Sequence, residues 1–408
     1  MRTLALSAVL AVSLAGCGEQ FKPASYVDKL RLLAVRAESP EIAPLARGTD
    51  GTPLEPQPDG RAPDRTAFTS LVADPQQLGD PAREAVVVYL ACTPEPGNLD
   101  AGLCNLVETY ADPAQLPALL AEGGGTCGGG GGGTGAPAEF GEGLIGGITF
   151  AGLEACDHEQ GCRPAEVSVD GAAVALPPPT YVLPASFTLD ALPAGHPQRT
   201  LGVQVVVIAI VVSATPEELV EGADPTDDCA FADRVSSNLA RLLESRERLT
   251  AIKRVQVRGP DVTDPVNVNP EIPGFAANGT VLPLELPDPV PAEARFRPGQ
   301  VSTLLPQLPT GDDGQPLPAD ALYQPFTRYD ADGAFFRNER ESWLWSWFAT
   351  GGEFEKERTR APDQAQEWTA PGADPDFPVP ESRRVFLYSV VRDARGGIAW
   401  AKREVRID

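Results

Sequence analysis

Proline and glycine interrupt this chain so often that long helices have little room to form. The 408 residues include 42 prolines and 40 glycines, and both residue types favour turns over regular helix. Between the turns lie short, β-branched, apolar runs that are typical of strands, at 30–37, 66–73, 85–92, 202–214 and 251–258. We therefore predict a mainly β fold whose strands are joined by irregular loops.

Two segments need separate interpretation. Residues 229–249 show the spacing of an amphipathic helix, with apolar side chains at Phe231, Val235, Leu239, Leu242 and Leu243. The run 202–214 is apolar enough to suggest a membrane span, but it is shorter than the ~20 residues that a spanning helix needs. It is also rich in valine and isoleucine. We predict one helix at 229–249 and a buried strand at 202–214.

The N-terminus has the parts of an export signal. Arg2 is followed by an apolar stretch at 4–14 and then by Leu14-Ala15-Gly16-Cys17. A basic start, a short apolar run and small residues before a cleavage point make a secretory signal peptide. The order Leu-Ala-Gly-Cys resembles the lipobox of bacterial lipoproteins, in which the cysteine is lipidated and becomes the new N-terminus.

This resemblance implies a signal peptide at 1–16, acyl chains such as palmitate on Cys17, and a short tether at 17–23. Several acyl chains on one residue anchor a protein stably to a membrane. Gly18, in place of aspartate, favours the outer membrane of a Gram-negative bacterium in the sorting scheme of that family. The alternatives are an ordinary signal peptide with an incidental Cys17, and an uncleaved anchor.

The cysteine count agrees with export. Of seven cysteines, lipidation of Cys17 leaves an even number, as expected for disulfides in an oxidising compartment. We favour the pairings Cys92–Cys104, Cys156–Cys162 and Cys127–Cys229, although sequence alone leaves other connectivities open. Cys156 and Cys162 with His158 could also hold zinc, but an oxidising compartment favours the bridge.

Charge excludes one class of partner. The chain has 57 acidic and 33 basic residues and a formal net charge of -24. Such a chain repels the phosphate backbone of nucleic acids. We therefore expect no nucleic-acid partner.

Short strings recur between the front and the back of the chain. They are Pro40-Glu41-Ile42 with 270–272, Lys253-Arg254 with 402–403, and the run 85–92 with 342–348. Recurrence in the same order indicates a duplicated unit, although strings this short also match by chance. We predict two related modules, at 24–258 and 259–408, the first enlarged by the helix and by a disulfide-containing insertion at about 93–200.

The back module carries a recognisable arrangement. Trp347 precedes a Gly-Gly turn, Glu367-Trp368-Thr369-Ala370-Pro371 follows, and the apolar run at 385–392 ends in an Asp-Ala-Arg-Gly-Gly turn. This arrangement resembles bacterial Ig-like and PKD-like β-sandwich domains. The whole chain is also similar to large lipoproteins with Ig-like modules from myxobacterial-type genomes. The resemblance implies that both modules are β-sandwiches that bury alternating residues of two sheets.

Tryptophans supply the one candidate binding surface. Trp343, Trp345 and Trp347 occupy every second position, so on a strand they share one face. Exposed, Trp343 and Trp345 would form an aromatic strip for sugar rings. The interpretation that we favour is that Trp347 is the core tryptophan of a sandwich and that its neighbours extend the same face under loops. Leu344 and Phe348 make the opposite face apolar as well, which argues further against a sugar platform.

No complete set of catalytic, cofactor-binding or metal-binding residues stands out. The chain has two histidines and no G-x-S-x-G motif, the glycine tract at 123–135 lacks the Gly-Lys-Ser/Thr ending of a phosphate loop, and the acidic turns at 312–314 and 330–333 lack a full calcium ligand set. We predict a lipid-anchored cell-envelope protein that is not an enzyme and has a binding or structural role. Its expected partners are the membrane, through the anchor, and an unidentified envelope protein or glycan. The alternatives are a carbohydrate-binding protein that uses the tryptophan strip and, less favoured, an envelope hydrolase.

Overall fold

A computed structural model describes most of the chain between residues 23 and 408. The described ranges are 23–44, 64–78, 80, 83–98, 104, 148–157, 161–169, 172–184, 186–223, 228–284, 286–360 and 362–408. Strands account for 45% of the structure and helices for 11%. The prediction of a mainly β protein is confirmed.

Two sheets pack face to face in the front half, and we call them the N-terminal pair. The first has the order β1-β3-β9, with β1 (Arg31–Ala37), β3 (Arg65–Ala73) and β9 (Thr180–Val182). The second has the order β2-β11-β10-β4-β5-β6, with β2 (Glu41–Ile42), β4 (Ala85–Cys92), β5 (Ile148–Asp157), β6 (Gly161–Pro164), β10 (Val203–Val212) and β11 (Arg248–Val257). Val35 and Phe68 of the first sheet share a buried core with Tyr89 and Val207 of the second.

The six-stranded sheet is covered on its other face by a helix, α3 (Asp228–Ser245). The apolar side chains of α3 are buried against β4 and β10, as the spacing of the predicted helix required. They are Phe231, Val235, Leu239, Leu242 and Leu243. Strand β10 is therefore buried on both faces, which explains its nearly continuous Val/Ile composition. The strand predicted at 202–214 is confirmed.

Two five-stranded sheets form a second pair in the back half, the C-terminal pair. One has the order β13-β12-β15-β21-β19, with β12 (Gly274–Ala277), β13 (Thr280–Val281), β15 (Val301–Gln307), β19 (Glu353–Phe354) and β21 (Gln366–Thr369). The other has the order β14-β23-β22-β18-β20, with β14 (Arg295–Phe296), β18 (Leu344–Ala349), β20 (Arg358–Thr359), β22 (Arg384–Arg392) and β23 (Ile398–Ile407). Phe275, Trp345, Trp347 and Trp368 lie in the core between them.

The other elements that the structure describes are short. They are the ribbon β7 (Glu166–Val169) with β8 (Ala172–Ala175), the ribbon β16 (Pro325–Tyr329) with β17 (Phe335–Arg340), the helices α1 (Gln198–Leu201), α2 (Pro216–Val220) and α4 (Ala319–Leu322), and 3-10 turns at Pro75–Leu78 and Ala292–Ala294. Within the described ranges, every helix is too short or too polar to traverse a bilayer.

The two pairs stack back to back along an apolar surface that we call the seam. The outer face of β22 contributes Phe386, Tyr388 and Val390, which are buried against Leu33 of β1 and Leu71 of β3. The N-terminal segment adds backbone pairing, because Val27 N donates to Ala349 O at 2.8 Å. The seam therefore joins the halves through both side chains and backbone.

Both pairs repeat one strand order. In the N-terminal pair β2 runs parallel to β11, and the next neighbours β10, β4 and β5 alternate in direction. In the C-terminal pair β14, β23, β22, β18 and β20 follow the same directions. The facing sheets also match, since β1-β3-β9 and β12-β15-β21 are both antiparallel. The two pairs therefore share a strand order, and the duplicated module predicted from short strings stays a prediction.

The strings themselves do not align as predicted. Val257 pairs with Ile42 where Ile407 pairs with Phe296, so Lys253 corresponds in position to Arg403 and not to Lys402. A shift of one residue exchanges the two faces of a strand, and Lys253 and Arg403 are indeed the buried members. The Pro-Glu-Ile match is also wrong, because Glu41–Ile42 forms β2, whose counterpart is β14, whereas 270–272 precedes β12.

Two boundaries differ from the prediction. The helix ends at Ser245, not at 249, because β11 begins at Arg248 and pairs along β10 over its whole length. The range 93–200, expected as an insertion, contains β5 and β9, which are built into the two sheets of the N-terminal pair. The end of β11 at Val257 lies next to the module boundary predicted at 258/259.

The close packing of Gly152 against Pro179, at an irregularity of β5, can be tested by substitution. The register between β4 and β5 shifts at this point, and Gly152 has φ +120° with Pro179 Cα only 2.7 Å from the place of a Cβ. We expect Gly152→Ala to lower the free energy of unfolding by about 2–4 kcal/mol, from backbone strain and overpacking together. Urea unfolding followed by circular dichroism measures this effect.

Gly161→Ala is the matched control. Gly161 also has a positive φ, +78°, but nothing lies within 4 Å of its added Cβ. The backbone term alone should cost about 1–2 kcal/mol there. Equal losses in the two variants would contradict the close approach of Pro179.

Candidate functional site

The tryptophans that we considered for sugar binding lie inside the protein. Trp343 is 4% exposed and Trp345 is 0% exposed. Their rings are 5.7 Å apart, in the core between the sheets of the C-terminal pair. An exposed aromatic strip at Trp343 and Trp345 is therefore wrong. Trp347 lies in the core as predicted, and its two neighbours lie in the same core cluster and not only under loops. The physical reason is that the second sheet covers the face to which β18 points these side chains.

Two of the predicted disulfides are present. Cys92 is bonded to Cys104, and Cys156 to Cys162. Cys156 and Cys162 stand opposite each other on β5 and β6, so the ladder itself brings them together. Cys127 lies outside the described residues, as does the side chain of Cys229, and their bridge stays a prediction. Cys17, the signal peptide and the tether up to residue 22 also lie outside the described ranges.

Residues from both pairs meet in a buried ionic network beside the seam. Glu41 on β2 forms ion pairs with Arg258 at 3.3 Å and Arg395 at 3.2 Å. Arg395 also pairs with Glu341 at 3.1 Å. All four side chains are largely buried. In such a setting removal of one partner strands the other charge and typically costs about 3–5 kcal/mol.

Glu341 is the most perturbed member of this network. Burial, followed by repulsion from the Asp393 carboxylate, raises the pKa of Glu341 to about 7, although Arg395 acts in the opposite direction. A carboxyl group with a strongly perturbed pKa is one indication of a functional site. Here Glu341 also accepts a hydrogen bond from the Gln324 backbone at 3.3 Å, so its role within the described residues is to hold loops together.

A cavity of about 390 Å³ opens next to the network, and we call it the junction cavity. Glu41 and Arg258 line it from the N-terminal pair, and Asn267, Phe326 and Arg395 line it from the back half. Both sides of the seam thus contribute walls. Its volume falls in the range of small-molecule sites, roughly 300–1,000 Å³.

Asn267 is the unusual residue of the junction cavity. It is 1% exposed, and neither Nδ2 nor Oδ1 has a hydrogen-bond partner among the described residues. Its backbone N–H donates to Glu41 at 2.6 Å, which holds the residue in place. An unpaired buried polar group costs about 1–3 kcal/mol, so the side chain suits a ligand group that both donates and accepts.

A second buried carboxyl lies inside the N-terminal pair. Glu154, 1% exposed, accepts from the Tyr89 hydroxyl at 2.6 Å and from the Ser70 backbone at 2.9 Å. Burial raises the pKa of Glu154 to about 7, against the lowering effect of the Tyr89 hydrogen bond. These contacts tie β3, β4 and β5 together across the core, so Glu154 is a structural residue.

Metal ligands do not gather in the part of the chain that the structure describes, where no cluster of three or more His, Cys, Asp or Glu side chains occurs. In the turn at 330–333, one of those considered for calcium, backbone N–H groups bind the carboxylate. Asp330 accepts from the N–H groups of Asp332 and Ala334 at 3.0 and 2.9 Å.

Comparison with known proteins returns no relatives, since no protein-family model and no curated protein matches the chain. The function must therefore be argued from the geometry of the chain itself.

Sequence reasoning missed the residues of the junction. Glu41 entered the sequence argument only as part of a repeated string, Arg395 only as part of the Asp-Ala-Arg-Gly-Gly turn, and Asn267 carried no motif. The partners lie far apart along the chain, because Glu41 and Arg395 are separated by 354 in residue number. A glutamate in a short apolar strand was the one available signal, because buried acids need partners.

Replacement of Asn267 tests whether its amide is unsatisfied in the free protein. We expect Asn267→Leu to raise the free energy of unfolding by about 1–2 kcal/mol, because the change removes an unpaired polar group. The matched control is Asn269→Leu, since Asn269 donates to Ala37 O at 2.7 Å and accepts from Ile398 N at 2.9 Å. Asn269→Leu should destabilise, and a similar loss from Asn267→Leu would show that its amide is satisfied after all. Urea midpoints at one pH give both values.

Glu154 makes stability depend on pH in a defined window. Because its folded pKa of about 7 lies above the ordinary 4.5, the folded chain binds more protons than the unfolded chain between these values. The free energy of unfolding should therefore fall as pH rises from 4.5 to 7 and level off above. This pH-dependent fall amounts to up to about 3 kcal/mol at ~1.4 kcal/mol per pKa unit. It should be absent in Glu154→Gln, because glutamine does not titrate. Urea midpoints from pH 4.5 to 8 test this, and parallel curves for the two proteins would refute it.

Proposed function

We propose that this chain is a lipid-anchored protein of the bacterial cell envelope, built from two Ig-like modules, with a non-catalytic binding or structural role. Cys17 would carry the acyl chains, and the outer membrane of a Gram-negative bacterium is the proposed location. The observation that carries the proposal is the junction, where a buried network and an apolar seam join two modules around one cavity.

The disulfides support the location. Cys92–Cys104 joins the end of β4 to Cys104, outside the named strands, and Cys156–Cys162 joins β5 to β6. Such bridges persist in oxidising compartments. These bridges use four of the seven cysteines. In the proposal, Cys17 carries the acyl chains and forms no bridge. The membrane, through the anchor, would be one partner, and an envelope protein or glycan the other.

The strand order supports the Ig-like modules. In each pair the chain crosses repeatedly between two facing sheets, and each pair has a short strand that pairs in parallel with its last strand. Antiparallel sheets that face each other across one core are the architecture of Ig-like sandwiches. Trp347 and Trp368, which carried the resemblance in sequence, are both buried in that core.

The carboxylates of the junction cavity favour binding over hydrolysis. Glu41 is held by two arginines and the Asn267 N–H. Asp264 accepts from the backbone N–H and the hydroxyl of Thr327 at 2.6 and 2.8 Å. Glycoside hydrolysis needs one protonated and one ionised carboxyl group, both facing the scissile bond, whereas these two groups are committed to contacts within the protein. With the tryptophan strip buried, the junction cavity replaces it as the proposed ligand site.

Lipid anchoring has a direct test in a Gram-negative host. Wild-type protein should incorporate labelled palmitate and sediment with membranes, and Cys17→Ala should lose the label and be released, because the acyl chains are the anchor. Gly18→Ala keeps the cysteine and serves as the labelling control. The proposal would be contradicted if the Cys17→Ala protein stayed fully membrane-bound and the wild-type protein incorporated no palmitate.

A further inference from the structure

The junction cavity, which is the ligand site of the proposed function, is lined mainly by polar side chains. Most small-molecule sites are lined chiefly by apolar groups. In the junction cavity most of the lining side chains have an amide, a hydroxyl group or a charge, among them Thr200 of α1, Gln204 of β10 and Gln256 of β11. Such a lining favours a ligand that is polar over most of its surface.

The charges that line the junction cavity are paired within the protein. Glu41 forms ion pairs with Arg258 and Arg395, at 3.3 and 3.2 Å. Arg328, which is more exposed, pairs with Glu339 at 3.5 Å. A ligand with a net charge would have to compete with these pairs or leave one of their members uncompensated, which is costly for buried groups. The network therefore favours a neutral ligand.

The amide of Asn267 supplies an unpaired donor and an unpaired acceptor at the wall of the cavity. Neither Nδ2 nor Oδ1 has a partner among the described residues. Because the side chain is only 1% exposed, it has to turn for its amide to reach a ligand, and no hydrogen bond to a described residue has to break when it does. A primary amide presents a donor beside an acceptor, and neighbouring hydroxyl groups of a sugar ring, each of which donates and accepts, are complementary to that pair.

Aromatic surface lies next to these polar groups. Phe326 and Tyr329 of β16 line the junction cavity and are half-buried. The guanidinium carbon of Arg395 is 5.2 Å from the centre of the Phe326 ring, so the ionic network also holds this ring in place. Sugar rings have C–H groups on their faces that pack against aromatic rings, while the hydroxyl groups at their edges reach polar walls.

An extended peptide fits the junction cavity less well. Peptides that add to a sheet bind through backbone groups at an open strand edge. The Thr327 N–H of β16 instead donates to Asp264 at 2.6 Å, and β11 pairs with β2 at Gln256 and Val257. The backbone that borders the cavity at these positions is therefore already bonded.

We propose that the junction cavity binds a neutral saccharide of one or two sugar rings, whose hydroxyl groups pair with the Asn267 amide once this side chain turns toward them. The inference rests on the proposed function, in which this cavity is the ligand site, and it names the chemical class of the ligand. Paired charges, an unpaired buried amide and aromatic rings around one cavity are the observations that support it.

Calorimetric titration of purified full-length protein, in a detergent without a sugar headgroup, tests the proposal. At least one of the neutral disaccharides chitobiose, cellobiose and maltose should bind with a Kd below about 1 mM. Since the charges of the cavity are paired, this Kd should change less than about twofold between ~20 mM and ~0.5 M sodium chloride. No binding of any of the three disaccharides would overturn the proposal.

Substitution of Asn267 separates a ligand contact from a structural role. Asn267→Leu should weaken disaccharide binding by about tenfold or more, because the hydroxyl groups lose their partner, although the same change is expected to stabilise the fold. Asn338→Leu is the matched control, since Asn338 is exposed on β17 and does not line the cavity, and it should keep the wild-type Kd. An unchanged Kd in Asn267→Leu would overturn the proposal.

Two further probes decide the ligand class on the wild-type protein alone, whatever the stability of the variants. Tighter binding of the uncharged peptide acetyl-trialanine amide than of every disaccharide would assign the cavity to a peptide and overturn the proposal. Tighter binding of glucuronic acid than of glucose would assign it to an anion, with the same consequence.

The lipid anchor is tested separately, by palmitate labelling of Cys17. Saccharide binding that fails in a labelled protein would overturn this inference and leave the anchoring intact. Saccharide binding by a protein that is not labelled would support the inference and contradict the anchoring.

Discussion

The outer face of β22 is apolar and has to be covered, and its burial against β1 and β3 organises the rest of the molecule. Phe386, Tyr388 and Val390 occupy this face, while Val385 and Leu387 fill the core on the inner side. A strand that is apolar on both faces has to be sandwiched between two layers. The seam therefore joins what would otherwise be two separate pairs of sheets. It sets the order of the layers, which begins with α3 and continues through the four sheets.

The junction cavity follows from the seam, because residues of both pairs meet there. Each arginine of its network faces a carboxylate, so these charges balance, and among the described residues Asn267 remains as the unpaired polar group. A chain with a net charge of -24 can therefore contain a charge-balanced buried network. The net charge led us to expect no nucleic-acid partner, but it does not describe the charge of a single cavity.

How much of this was predictable depends on the sequence distance of the contacts. Strand positions, the amphipathic face of α3 and the two short-range disulfides were predicted, because each depends on residues close together in the chain. The string match placed Lys253 opposite Lys402, whereas Arg403, one residue further on, holds the corresponding position in the strand pairing. The end of α3 was predicted too far along the chain, because residues 248–249 pair with β10 and belong to β11.

The sequence by itself determined the mainly β composition, the burial of β10 and the core position of Trp345 and Trp347, because alternation and β-branched content are local properties of the chain. Only the tertiary structure decided which faces meet and which charges are compensated. Glu41 and Arg395 are 354 positions apart, and no local pattern encodes such a pair. Whether a buried cation has a carboxylate or an aromatic ring beside it depends on how two sheets stack, and that stacking is settled by the whole apolar surface at once.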